Sequence, residues 1–423
     1  MEKAIAKQLI LEYQQITSNV DLVEREVSLS DSVNYVLVGL RRSGKSYLLY
    51  QQIKNLIGIG HSHEEILYFN FEDDRLDEIS LKDLDMIKTC YEELFPHRPI
   101  FFLDEIQNVE GWEHFARRLA DQKYRVYITG SNAKMLSTEI AGTLGGRYMV
   151  QNVYPYSFRE YLSANKIYLA DHWELSPKKN EVVRNFDTYL RFGGLPELCQ
   201  IPVKLRRAWL NNLYNKIFFG DILMRYSVRN TLALKVLVRK LAESVKQPCS
   251  YTRLANIVSS TGKKTRTETI IDYLDYAQES CIVFALENYA AKIAEKVSNK
   301  KYYFTDNGIL NLFLFDPETS LLENLVAIRL HTLYDDVFFY HDGIEVDFYL
   351  WEHRTAIQVC WSIGDEETRM RETNALIKLS SRLPVERMMI VTNDESGIIE
   401  IDDKRISVVP AWRWMTEESE VRN

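Results

Sequence analysis

The sequence predicts an α/β protein that opens with a mostly parallel sheet covered by helices, and three observations predict it. From Tyr35 onward, short apolar runs alternate with helix-length segments, as strands do when helical crossovers join them. The first run ends in a glycine-bracketed turn, Gly39-Leu40-Arg41-Arg42-Ser43-Gly44-Lys45-Ser46, and a helix-like segment follows at once. A second alternation of strand-like and helix-like runs begins after Leu322, so the 423 residues divide into several domains. The expected strands of the first sheet are Tyr35 to Val38, Ile66 to Phe71, Pro99 to Leu103, Arg125 to Thr129 and Tyr148 to Val153. Each ends where polar residues gather, and ligands of open α/β sheets lie beyond the carboxyl ends of the strands.

After Tyr154 the pattern turns helical, at Phe158 to Asn165 and Val182 to Phe192, before the turn Gly193-Gly194-Leu195-Pro196; this reads as a small helical lid. From Ala208 to about Phe315 come helices and then a β-hairpin, Ile282 to Tyr289 with Lys301 to Thr305, an order that resembles a winged helix. A helix at Leu322 to Tyr334 opens the last part. Strands follow at Val337 to Tyr340, Val346 to Trp351, Ala356 to Ser362, Met388 to Thr392 and Ile406 to Val409, with a helix at Thr368 to Arg382 among them. The expected boundaries are 1–153 for the parallel core, 154–207 for the lid, 208–315 for the middle domain and 316–423 for a second α/β domain.

With 46% hydrophobic and 26% charged residues, the composition is that of an ordinary globular protein. A formal net charge of -8 excludes a uniformly basic coat, so any nucleic-acid site has to be local. The five cysteines have neither zinc-ligand spacing nor the look of a disulfide framework, which fits a reducing cytoplasm. The first ten residues are too charged for a secretory leader and no apolar run is long enough to span a bilayer, so no membrane role is expected.

The turn after the first strand carries chemistry. Gly39 and Gly44 let the backbone curl so that its N–H groups face phosphates, Lys45 sets a positive charge against the β- and γ-phosphates, and the Ser46 hydroxyl can join a Mg²⁺ shell. The cradle spans Gly39, Leu40, Arg41, Arg42, Ser43, Gly44, Lys45, Ser46 and Tyr47. A second strand, Ile100 to Leu103, delivers Asp104 and Glu105 at its carboxyl end, the first suited to hold Mg²⁺ and the second to orient and polarise the attacking water. A third ends in Thr129-Gly130-Ser131-Asn132, where Ser131 or Asn132 would sense the γ-phosphate or simply build a turn.

These segments, with Leu103-Asp104-Glu105-Ile106-Gln107, Gly111-Trp112, Gly146-Arg147-Tyr148 and Arg191-Phe192-Gly193-Gly194-Leu195-Pro196-Glu197, resemble a prokaryotic AAA-type (AAA+ superfamily) P-loop ATPase family. In that family a C-terminal domain of unknown function contains a winged helix and a restriction-endonuclease-like fold. The resemblance covers nearly the whole chain. It implies ATP and Mg²⁺ as cofactors, assembly into a homo-oligomer, Arg147 as an arginine finger acting in trans, Arg191 as a second sensor on the lid, and Glu72 near the nucleotide. Surface ion pairing is the competing role for Arg147, and a surface cap for Glu72.

In the middle domain, Lys263, Lys264 and Arg266 lead into a helix from Glu268 to Ala277. They read either as phosphate contacts beside a groove-docking helix or as a solvated basic turn on a protein-binding domain. In the last domain the nuclease-like pattern finds Glu323 and Asp347 where Mg²⁺ ligands belong, but Gln358 stands for a carboxylate and Cys360 for the lysine. Cleavage is therefore not expected. The leading expectation is an ATPase that couples turnover to DNA binding or remodelling, branched or junction DNA included. The alternative is a nucleotide-controlled switch or scaffold that binds a protein, and an ATP-dependent nuclease is a minority reading.

Overall fold

In the computed structural model of the chain, residues 1–76, 79–130, 142–262 and 264–417 are described. They fall into two units, Met1–Tyr154 and Pro155–Asn423.

The first unit is built on five strands, β1 (Asn34–Val38), β2 (Ile66–Asn70), β3 (Ile100–Asp104), β4 (Val126–Gly130) and β5 (Tyr148–Asn152). All pair in parallel, in the order β2-β3-β4-β1-β5. β1 to β4 are almost wholly buried, as continuous apolar strands covered on both faces must be. β5 ends the sheet and leaves Met149 and Val150 exposed. Four helices of this unit are α1 (Lys3–Asn19), α2 (Lys45–Gly58), α3 (Leu81–Leu94) and α4 (Trp112–Asp121). α1, which the sequence reading did not anticipate, buries Leu9, Ile10 and Tyr13 in the shared core and packs on α3 and β2. Asp83 reaches back to the Ser80 amide at 2.8 Å and so satisfies a free N–H at the start of α3. Because β4 lies between β1 and β3, the carboxyl ends of these three strands stand side by side and set the site.

In the second unit, helices at Phe158–Ala164, Lys178–Phe192, Val203–Lys216 and Thr231–Glu243 come first. A two-residue strand β6 (Cys249–Ser250), helices Tyr251–Ser260 and Thr267–Glu279, and the antiparallel strands β7 (Val283–Leu286) and β8 (Asn299–Phe304) follow. β8 lies between β6 and β7 in a three-stranded sheet. The turn after Lys178–Phe192 is fastened to the segment after β8: the Gly194 amide donates to Asp306 Oδ2 at 2.9 Å, and Asn307 Nδ2 donates to the Leu190 carbonyl at 2.9 Å.

The helix Glu318–Leu333 precedes a mixed six-stranded sheet made of β9 (Val337–His341), β10 (Glu345–Leu350), β11 (Thr355–Val359), β12 (Arg387–Thr392), β13 (Gly397–Ile401) and β14 (Lys404–Pro410). Its order is β13-β14-β12-β11-β10-β9. β11 stops at Val359, short of the expected Ser362, and the edge strand β13 was not anticipated, since its half-exposed sequence has no buried run to announce it. Among the described residues, no helix is long and apolar enough to cross a membrane.

Candidate active site

At the carboxyl end of β1 the chain turns through Gly39 to Gly44 and enters α2 at Lys45. A Cβ on Gly39 would lie 2.1 Å from the Val153 carbonyl oxygen, so no larger residue fits there. Gly44 caps α2 with φ 97°, a left-handed conformation that glycine adopts without steric cost. Arg42 takes φ 65°, and on the neighbouring strand end Glu105 takes φ 55°. Two non-glycine residues in this sparsely populated region face the same strand ends, a form of local strain that clusters at functional sites.

Lys45 is buried, and its Nζ donates to the Gly39 and Leu40 carbonyls at 3.1 and 3.2 Å, with Glu105 Oε1 at 3.8 Å. The loop thus folds its own lysine back on the backbone it would otherwise present to phosphates. Ser43 Oγ is buried and, among the described residues, has no hydrogen-bond partner. Arg41 pairs with Glu72 at 2.8 Å, which brings the end of β2 to the loop. The Tyr47 ring is half exposed and meets Tyr50 edge-on.

Asp104 is buried at the end of β3. Its Oδ2 accepts from the Tyr68 hydroxyl at 2.6 Å, and its Oδ1 accepts from the Thr129 hydroxyl. Burial raises its pKa, and Glu105 raises it further; hydrogen bonds from Thr129, Tyr68 and Ser46 oppose that rise. The first turn of α2 thus brings the Ser46 hydroxyl near enough to Asp104 to favour its charged form. Thr129 also accepts from the Glu105 amide at 2.9 Å, so one hydroxyl holds both acidic residues in place. Gln107 donates to Glu105 Oε2 at 2.5 Å.

The residues present fit a magnesium nucleotide. The glycine-lined turn, a buried Ser43 hydroxyl without a partner among the described residues, the neighbouring Ser46 and Asp104, and a lysine bonded to backbone carbonyls with a carboxylate at 3.8 Å make an anion cradle beside a cation position. Thr129, Tyr68 and Gln107 were not assigned roles from sequence. Thr129 and Gln107 lie inside the segments that carried the resemblance, and their polar side chains beside the acidic pair were the available signal.

Ser131 and Lys263 lie outside the described residues. Arg147 ion-pairs with Asp121 at 2.6 Å and donates to the Leu144 carbonyl. In the second unit, Arg191 pairs with Asp187 at 3.0 Å and Glu318 at 3.7 Å. Lys264 and Arg266 are exposed before the helix Thr267–Glu279.

The second unit does bring Glu323 and Asp347 together. Glu323 projects from the helix Glu318–Leu333 and Asp347 from β10, and Lys301 of β8 lies 3.5 Å from the first and 3.4 Å from the second. Gln358 is engaged elsewhere: its Oε1 accepts from the Asp347 amide at 2.7 Å and its Nε2 donates to Glu372 at 2.7 Å. Burial, followed by Glu372, pushes the Cys360 thiol up to about 12, so it carries no charge at neutral pH.

Residues 32–162 match the AAA domain family, and residues 183–319 match a domain of unknown function. The uncharacterized protein MJ1544 of Methanocaldococcus jannaschii is 31% identical over 98% of this chain and 95% of its own length. An uncharacterized protein of Haemophilus influenzae is 31% identical over 70% of this chain and 73% of its own. Among solved structures, the chain is similar to a Walker-type ATPase of Pyrococcus abyssi at 13% identity and a TM-score of 0.40, over 74% of this chain and 95% of that one.

Proposed function

The chain belongs to the family of the Methanocaldococcus jannaschii protein MJ1544 and carries an AAA domain of the P-loop type, and from that premise we propose that it binds ATP with Mg²⁺ and hydrolyses it. The observation that carries this reading is the meeting of Ser46, Asp104, Glu105 and Lys45 at adjoining strand ends, with Lys45 3.8 Å from Glu105. The backbone from Gly39 to Gly44 would receive the phosphates, and Lys45 would leave the Gly39 and Leu40 carbonyls for the β- and γ-oxygens. Ser46 and Asp104 would hold Mg²⁺, whose charge, when bound, offsets that of the phosphates. Glu105 would orient a water toward the γ-phosphorus and draw its proton while the bond to the β-phosphate oxygen breaks. Thr129 would hold both carboxylates in register, and Ser131, next along from β4, is the proposed γ-phosphate sensor.

Purified protein is expected to release phosphate from ATP in a Mg²⁺-dependent way, and Glu105→Gln to keep nucleotide binding while losing release. Equal release from both proteins would contradict the assignment. Arg147 is proposed to leave Asp121 and reach the nucleotide of a neighbouring copy, and Arg191 to act as a second sensor. Turnover per chain that rises steeply with protein concentration would support assembly, and a flat profile would count against it.

For the C-terminal half, we propose that hydrolysis controls engagement of a partner. Lys263, Lys264 and Arg266 support DNA, branched or junction forms included. A specific observation favours a protein instead: the helix they precede carries Glu268, Asp272, Asp275 and Glu279 and no lysine or arginine. Four carboxylates on one helix repel a phosphate backbone and suit a basic protein surface. Salt-dependent binding to four-way DNA, lost when Lys264 and Arg266 become Glu, would overturn the protein reading.

A further inference from the structure

The acidic cluster of the second unit holds a cation that the chain itself supplies. Lys301 is fully buried on β8, and its Nζ lies 3.1 Å from Glu345 Oε1, 3.4 Å from Asp347 Oδ1 and 3.5 Å from Glu323 Oε1. An ammonium has three donors, and three carboxylates surround this one. Other groups bond to the cluster as well. Tyr303 donates to Glu323 at 2.9 Å, the Val359 amide donates to Asp347 Oδ2 at 2.9 Å, and Phe339 presents its ring to the ammonium at 5.6 Å.

A divalent ion does not fit this donor set while the Lys301 ammonium occupies it. Mg²⁺ and Ca²⁺ need oxygens at about 2.0–2.6 Å from a shared centre, whereas the oxygens here stand at N–H···O distances from a nitrogen. The amide of Gln358, where a further ligand would be wanted, is committed to the Asp347 amide and Glu372. Among the described residues, no group of three or more His, Cys, Asp or Glu is disposed to hold a metal ion.

We propose that the Lys301 ammonium is the resident cation of this cluster, filling the place among Glu323, Glu345 and Asp347 that a divalent metal would need, and pinning the three-stranded sheet to the six-stranded one without any metal. The ammonium comes from β8 in one sheet, while Glu345 and Asp347 stand on β10 in the other and Glu323 on the helix between them in sequence. One buried charge therefore ties three elements. Breaking such an arrangement from the lysine side leaves the largely buried Glu323 and Asp347 carboxylates uncompensated beside the half-exposed Glu345, and the vacated cage then has the charge to attract an external cation.

The test is thermal unfolding of the full-length protein without nucleotide, with Mn²⁺ titrated as the probe, for wild type, Asp347→Asn and Lys301→Met. Mn²⁺ is expected to affect wild type and Asp347→Asn alike. Lys301→Met is expected to melt lower than wild type in chelator and to recover part of the loss as Mn²⁺ rises through the millimolar range. Stabilisation of wild type by Mn²⁺ that Asp347→Asn abolishes would overturn the proposal, as would a Lys301→Met protein that melts like wild type or does not respond to Mn²⁺. Should Lys301→Met fail to fold, the wild-type and Asp347→Asn titrations decide the matter alone.

Discussion

The two units each gather carboxylates around one lysine, and they use the lysine in opposite ways. Lys45 is tied to two backbone carbonyls and sits 3.8 Å from a single carboxylate, beside a turn shaped for an anion. Lys301 is fully buried, with three carboxylates at 3.1–3.5 Å. A lysine that can exchange weak internal partners for a ligand is poised for chemistry; a fully buried lysine shared by three carboxylates is poised for cohesion. On the proposed reading, the same residue types give a reactive centre in one unit and a fastening in the other.

That contrast breaks most visibly at Glu105. Glu105→Gln should lower phosphate release by about 10²–10⁴-fold, the usual contribution of a positioned general base, with the melting temperature nearly unchanged. Lys301→Met should do the reverse. It should destabilise the second unit by about 3–5 kcal/mol, as loss of one partner from a buried ion pair does, and leave turnover close to wild type at temperatures below the new transition; denaturant melts and steady-state rates on one preparation check both.

A smaller effect sharpens the picture of the first centre. Thr129→Val keeps the shape of the side chain but removes the hydroxyl that bonds Asp104 and the Glu105 amide. Turnover should fall by about tenfold, on the scale of one hydrogen bond of about 1.5 kcal/mol, with ATP affinity measured by titration largely kept.

The smallest effect concerns acid. His331 stacks flat on Phe284 at 4.1 Å, and burial lowers its pKa to about 4. The unfolded chain binds the proton near pH 6.5, so between those values the unfolded state holds more protons. Its neutral form therefore contributes stability that is fully present above about pH 6.5 and is lost as pH falls toward 4. The second unit should soften over this window, and His331→Phe should flatten the slope in melts recorded from pH 7 to pH 4.

How much of this was legible in the sequence follows from how contiguous each feature is. The five parallel strands were read to within about a residue because they are continuous apolar runs that end in polar turns. The glycine-bracketed turn and the acidic pair were legible as candidates because each is a few consecutive residues. Lys301 was not, because 46 positions separate it from Asp347 and only the fold brings β8 to β10. From the sequence, Cys360 marked the missing lysine; in space, an ammonium had arrived from another sheet. Tyr68 was hidden in the same way, as one more aromatic of a buried strand until its hydroxyl met Asp104. The helix α1 lacked a capping side chain and a strong apolar stripe, and it takes its order from the core it covers.

The division of labour between the two centres is tested most directly by Mg²⁺-dependent phosphate release from ATP, measured side by side for wild type, Glu105→Gln and Lys301→Met. The account predicts turnover in wild type, its loss in Glu105→Gln and its retention in folded Lys301→Met. Release that survives in Glu105→Gln, or that vanishes in a folded Lys301→Met protein, would contradict it.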